Sequence, residues 1–214
     1  MVQKMNREER IEDNQFYHVY NRGNDRDPIF GDGSDYYAFL EKMKSLAVQH
    51  LVAIPIYTLM PNHYHLIVLQ NPGGNLSKMM GALATSAAKR YNLKYGHIGH
   101  LFQGPFRYKP VPEELLWYVA CYIHLNPVRA GLAREPAEWK FSNFGAYVEG
   151  FLHRSSNQGE GNLLPGLWQG YAAYVTEVLK DERMQEEWER KMRLHVKGFL
   201  EEGYLLSGEK PRRR

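Results

Sequence analysis

The sequence predicts an α+β fold: a ferredoxin-like antiparallel sheet with helices packed on one face, followed by a C-terminal helical appendage. Three observations predict it. Short apolar segments with strand character interchange with longer segments of helical periodicity, in the order strand, helix, two strands, helix, strand, helix. Two of the strand segments are separated only by a turn signal, which makes them an antiparallel hairpin. Apolar residues make up 43% of the 214-residue chain, enough for a sizeable core, yet no run approaches the ~18 residues of a membrane span.

The elements follow in order. Residues 1–14 form a polar lead-in of mixed charge, and Phe16 to Tyr20 reads as the first strand. Asn21 to Gly33 is rich in Gly, Asn and Asp and reads as a loop. Ser34 is a candidate cap for a helix over 35–49, with Tyr37, Leu40, Met43 and Leu46 on one face. Val52 to Leu59 is strand-like, Met60-Pro61-Asn62 is a turn, and His63 to Gln70 alternates again. A helix over 76–94 carries the stripe Leu76, Met79, Met80, Leu83 and Ala87. A loop rich in His and Gly leads to a strand near 106–111 and to a helix over 113–125, which Pro127 is expected to end. The expected division is a domain over 1–150 and, over 151–214, a linker, a helical segment and the basic tail Lys210-Pro-Arg-Arg-Arg214.

Charge is unevenly placed. Residues 42–112 hold eight bases (Lys42, Lys44, Lys78, Lys89, Arg90, Lys94, Arg107, Lys109) and no acid, although the whole chain is only +3. Such a window suits a surface that meets a polyanion, with nearly uncharged buried strands as the plainer reading. The single cysteine, Cys121, excludes an intramolecular disulfide and a multi-cysteine zinc cluster. No apolar leader opens the chain, so the expected location is the reducing cytoplasm, without a membrane partner.

Histidines 63 and 65 carry the chemical signal. Two apart on a strand, they point to the same side, with α-carbons about 7 Å apart, and can converge on one cation. A pair of solvent-facing histidines is the alternative. On the last helix, Tyr118, Tyr122 and Asn126 share a stripe, and Tyr122 and Asn126 lie about 6 Å apart along the axis. If that stripe faces the histidines, Asn126 can offer an amide oxygen to the metal and Tyr122 a phenol to whatever the metal polarises. Taken alone, both tyrosines read more plainly as core aromatics.

Several blocks, in order, are similar to one family. Met60-Pro61-Asn62-His63-Tyr64-His65-Leu66-Ile67-Val68 resembles the His-hydrophobic-His motif of the Y1 (IS200-like) transposases. Tyr17-His18-Val19-Tyr20-Asn21-Arg22-Gly23 and Tyr122-Ile123-His124-Leu125-Asn126-Pro127-Val128-Arg129 resemble the opening strand and tyrosine helix of the REP-associated tyrosine transposase branch. Gly99 to Gly104 followed by Tyr108-Lys109, and Glu138 to Ser142, resemble two further blocks, so the likeness covers about 15–148. Two departures stand out: Tyr64 is bulkier than the usual aliphatic, and Pro105-Phe106 interrupts the segment after Gln103-Gly104.

The resemblance implies a metal-dependent enzyme that cleaves and rejoins single-stranded DNA near hairpins through a 5′-phosphotyrosine. It implies Tyr122 as nucleophile and His63, His65 and Asn126 as ligands of Mg²⁺ or Mn²⁺, acting as a homodimer or a monomer. Lys78, Lys89, Arg90, Lys94, Arg107 and Lys109 can then track phosphates, with Tyr108 among the aromatics that can stack on bases. Arg22 is a further DNA contact or part of a turn. A non-catalytic single-strand binder on the same scaffold, and a hydrolase that activates water, are the competing readings.

Overall fold

The hairpin organises the sheet. In the computed structural model, which describes residues 10–148 and 170–190, β2 (Val52–Met60) and β3 (His63–Gln70) pair antiparallel across Pro61-Asn62. β1 (Gln15–Arg22) lies antiparallel against the free side of β3, and β4 (Arg107–Pro110) antiparallel against β1. The order β2-β3-β1-β4 puts the first and third strands side by side at the centre, the split βαβ arrangement expected.

Directly opposed residues share a face, so the register sorts the side chains. Phe16, His18, Tyr20 and Arg22 face the same way as Ile56, Thr58, His63, His65 and Ile67. Tyr17 and Val19 share the other face with Leu59, Tyr64, Leu66 and Val68. Helices α1 (Gly33–Gln49) and α2 (Leu76–Tyr95) cover this second face. Helix α3 (Leu116–Arg129) covers the first, with α4 (Phe144–Val148) and α5 (Tyr171–Lys180) in the same apolar cluster. The α+β class and the antiparallel sheet are as the sequence predicts, but the helices divide between the two faces instead of lying on one. The cause is that the strands carry apolar residues at both parities, including Ile56 and Ile67 on one face and Val19 and Leu66 on the other, all 0% exposed. Each such side chain contributes about 1.5–3 kcal/mol only when covered, so both faces need a layer.

Local chemistry adjusts three of the expected elements. Asp32, not Ser34, caps α1: its carboxylate accepts from the Ser34 N–H, and Asp35 completes a capping box. Tyr36 and Phe39 then turn inward, while Tyr37 stays 56% exposed. Helix α3 follows a 3₁₀ turn at Glu113–Leu115 and runs through Pro127 to Arg129. Pro127 has no N–H for the Ile123 carbonyl one turn back. The Asn126 amide fills that place, donating to the carbonyls of Tyr122 (2.9 Å) and Ile123 (3.4 Å).

The edge strand β2 is closed from outside by residues 139–143. Pro55 sits at an irregularity in its pairing. Asn143 donates to the Pro55 carbonyl (2.6 Å) and accepts from the Tyr57 N–H (2.9 Å), and the Trp139 indole donates to the Leu59 carbonyl (2.9 Å). On the far side of α3, Tyr171, Val175, Val178 and Trp188 join its apolar cluster. Residues 171–180 and 182–190 are thus helical, as expected. The linker expected at 153–166 and the basic tail lie outside the described residues. Among the described residues no helix is long and apolar enough to cross a membrane.

Candidate functional site

The first face of the sheet and α3 enclose a polar cluster. His63 and His65 sit at the start of β3 with ring centroids 5.1 Å apart. Helix α3 brings the Tyr122 ring edge-on to His65, centroids 5.6 Å apart. Asn126 lies one turn further along. Its amide nitrogen is held by the helix carbonyls, so its oxygen is the end left to face away from them. Of the four residues singled out from the sequence, His63, His65 and Tyr122 form a chain of ring contacts, Asn126 follows Tyr122 on α3, and Tyr118, on the same predicted stripe, packs against Tyr174 instead.

Three further groups belong to the cluster. His18, on β1, places Nε2 2.9 Å from Nδ1 of His65. Tyr20 stacks on His65, with centroids 6.0 Å apart and planes at 27°. Thr58 lies directly opposite His65 on β2. None of these is legible from spacing within one segment, because each comes to His65 through strand register. The parity of Phe16-Tyr17-His18-Val19-Tyr20 is a usable signal only once β1 is known to pair with β3.

The cluster is enclosed. His18, Thr58 and His65 are 0% exposed and Tyr122 is 2% exposed. His63 keeps an outer edge in solvent and holds Nδ1 2.6 Å from the Asn62 side-chain oxygen. Burial, with help from His63 and His18, holds the His65 imidazole well below its ordinary range. Burial and the Arg22 charge push His63 down to about 4. Both rings are neutral at pH 7, the form whose lone pairs can bind a metal. Burial drives the Tyr122 phenol well above its usual range, while Asn126 and the Arg129 guanidinium act in the opposite direction. Arg129 in turn lies over the Trp188 ring at 4.2 Å and pairs with Glu189 at 3.7 Å.

Buried polar atoms here with no hydrogen-bond partner among the described residues include Nε2 of His65, the Tyr122 hydroxyl and the Thr58 hydroxyl. A group buried in this way is costly unless something meets it. Two imidazole nitrogens, an amide oxygen and a hydroxyl are donors that suit a divalent cation. The donor chemistry of the residues present therefore fits such a cation, which His63, His65 and Asn126 would hold. No group of three or more His, Cys, Asp or Glu able to hold a metal occurs among the described residues, so a site here depends on the Asn126 oxygen.

The basic residues separate into two sets. Arg107 and Lys109 pair directly with Tyr20 and His18, so they lie on the histidine face, at the edge strand. Arg22 lies opposite His63 on the same face and donates to the Gln103 side chain. Tyr108 turns to the other face, edge-on to Tyr17. Lys78, Lys89, Arg90 and Lys94 are on α2, in the layer across the sheet from Tyr122. Lys94 pairs with Asp32 at 2.8 Å and Asp35 at 2.9 Å, and Arg90 with Asp35 at 3.5 Å. Tyr118 is half-buried and packs edge-on against Tyr174.

Comparison with known proteins follows the same geometry. Residues 12–126 match the family described as IS200-like transposase. A solved REP-associated tyrosine transposase bound to a REP hairpin superposes with a TM-score of 0.57 at 17% identity, covering 76% of this chain and 97% of that one. A candidate transposase from Deinococcus radiodurans R1 gives 18% identity over 56% of this chain and 95% of its own, with a TM-score of 0.40. No curated protein matches the chain.

Proposed function

This chain belongs to the IS200-like transposase family, and from that premise we propose that it cleaves and rejoins single-stranded DNA through a covalent bond to Tyr122. The observation that carries the reading is the Tyr122 ring placed edge-on to His65, with the phenol hydroxyl and Nε2 of His65 both buried without partners among the described residues.

His63, His65 and Asn126 would hold a divalent ion, Mg²⁺ or Mn²⁺. A cation there supplies positive charge that favours the phenolate and polarises the scissile phosphate. A phenol is protonated at pH 7 in any case, and burial moves Tyr122 further from ionisation, so its attack calls for charge that favours the phenolate. Arg129 already acts in the same direction as the cation. Attack forms the bond between the Tyr122 oxygen and phosphorus and breaks the bond from phosphorus to the 3′-oxygen. The phenol gives up its proton and the leaving 3′-oxygen gains one. The product is a 5′-phosphotyrosine and a free 3′-hydroxyl. An ester replaces an ester, so the reverse attack by a 3′-hydroxyl rejoins the strand without a nucleotide cofactor.

The DNA lies along β4 and the end of β1, where Arg107 and Lys109 on β4 and Arg22 on β1 share the face of the histidines. The solved relative bound to a REP hairpin supports a hairpin-forming strand as substrate. A non-catalytic single-strand binder is the second reading, and the near-complete burial of His65 and Tyr122 favours it.

A denaturing gel separates the two. Protein incubated with a labelled single-stranded hairpin and Mn²⁺ gives a slow protein–DNA band that Tyr122→Phe lacks and Tyr118→Phe keeps. Metal-dependent cleavage with no adduct would replace the proposal with hydrolysis. Binding with neither would leave the second reading.

A further inference from the structure

The contact between His18 and His65 has a chemical consequence. A neutral imidazole carries one proton, and a ligand nitrogen must be the bare one. Nδ1 of His65 is spent on Nε2 of His18 at 2.9 Å, so Nε2 is the nitrogen His65 has left for a cation. Two tautomer pairs satisfy this hydrogen bond. If His18 donates, the proton of His65 sits on Nε2, which is then a buried donor unable to bind metal. If His65 donates from Nδ1, its Nε2 keeps a lone pair in the pocket shared with Tyr122.

We infer that His18 is a positioning residue: its Nε2 accepts the Nδ1 proton of His65 and so holds His65 in the tautomer that presents Nε2 to a divalent cation. This rests on the strand-transfer reading above for the identity of the ligand, but the hydrogen bond itself does not. Outer partners of this kind fix the ring orientation and raise the basicity of a metal-binding imidazole. The fold supports the role. His18 and His65 are on adjacent central strands, their rings lie 5.1 Å apart, and both are 0% exposed. Tyr20, stacked on His65, closes another side.

The test uses two readouts on the full chain. Histidine ¹⁵N shifts of the metal-free protein report which ring nitrogen of His65 is protonated. Mn²⁺ affinity, measured by the loss of the free-ion electron spin resonance signal, reports the consequence. The expected result is a proton on Nδ1 of His65 in the parent protein. His18→Phe, which keeps ring volume and removes the acceptor, should weaken Mn²⁺ binding by about 10- to 100-fold. His18→Gln offers an oxygen near the position of Nε2 and should restore most of that affinity. A purely structural role for His18 would not separate Gln from Phe in this way. A proton on Nε2 of His65, or equal Mn²⁺ affinity in the parent protein and His18→Phe, overturns the inference. If His18→Phe fails to fold, the parent shifts and His18→Gln decide it. If Mn²⁺ does not bind the parent protein while the Nδ1 tautomer is found, the strand-transfer reading fails and the hydrogen bond from His65 to His18 stands.

Discussion

Acidification tests how α3 is held over the site. His124 lies inside α3 at 0% exposure, with Nδ1 2.9 Å from the Tyr171 hydroxyl and Nε2 3.0 Å from the side-chain oxygen of Asn143. That amide oxygen only accepts, so Nε2 donates to it and Nδ1 accepts from Tyr171. The neutral ring satisfies both partners, whereas a second proton would remove the acceptor that Tyr171 uses. Burial pulls His124 from its ordinary 6.5 down to about 4, with the Asn143 bond acting the other way. The unfolded chain thus takes up this proton near pH 6.5 and the folded chain only near pH 4. The stabilisation is complete above pH 6.5 and is lost as pH falls toward 4. Linkage gives a loss of about 2 kcal/mol by pH 5 and about 3 kcal/mol by pH 4. The assay is urea denaturation at pH 7 and pH 5, followed by tryptophan fluorescence, on the parent protein and on His124→Gln. Glutamine can occupy the same bonds but does not titrate, and His63 and His65 remain in both proteins. The variant should lose about 2 kcal/mol less than the parent between the two pH values. Equal losses would refute the assignment of His124 as a neutral buried link.

Two further outcomes follow from the same geometry. Asn126→Ala removes the donor that replaces the missing Pro127 N–H and leaves the Ile123 carbonyl unmet, so it should lower stability by about 1–3 kcal/mol in denaturant titration. Arg107→Ala or Lys109→Ala should each reduce the salt dependence of single-strand binding by about one phosphate contact, whereas Lys94→Ala should leave that slope unchanged because Lys94 is engaged by Asp32 and Asp35.

Much of this arrangement is written locally. β3 carries a continuous apolar run and α2 a helical spacing, with clear turns at Pro61-Asn62 and Asn71 to Asn75, and their bounds follow from that. That Tyr122 could meet the histidines was legible only as a condition, because strand parity and helical stripe each fix a direction but not which face of the sheet α3 covers. What the sequence left open depends on tertiary contact. Tyr36 turns inward instead of Tyr37 because the Asp32–Asp35 capping box sets the phase of α1. Pro127 does not end α3 because a neighbouring side chain supplies the absent donor. His18 enters the site only through the pairing of β1 with β3. The basic window looked like one surface, but the sheet divides it, leaving Arg107 and Lys109 on the histidine face and the α2 lysines behind it.

The chemistry turns on which atom takes the phosphate. Trypsin digestion of the protein after reaction with a short single-stranded hairpin and Mn²⁺ yields a peptide over 108–129 that contains Tyr108, Tyr118 and Tyr122 together. Fragmentation of that peptide by mass spectrometry locates the nucleotide. The account predicts a phosphodiester-linked nucleotide on Tyr122; the same mass added at Tyr118 or Tyr108, or on no tyrosine while the strand is cut, would contradict it.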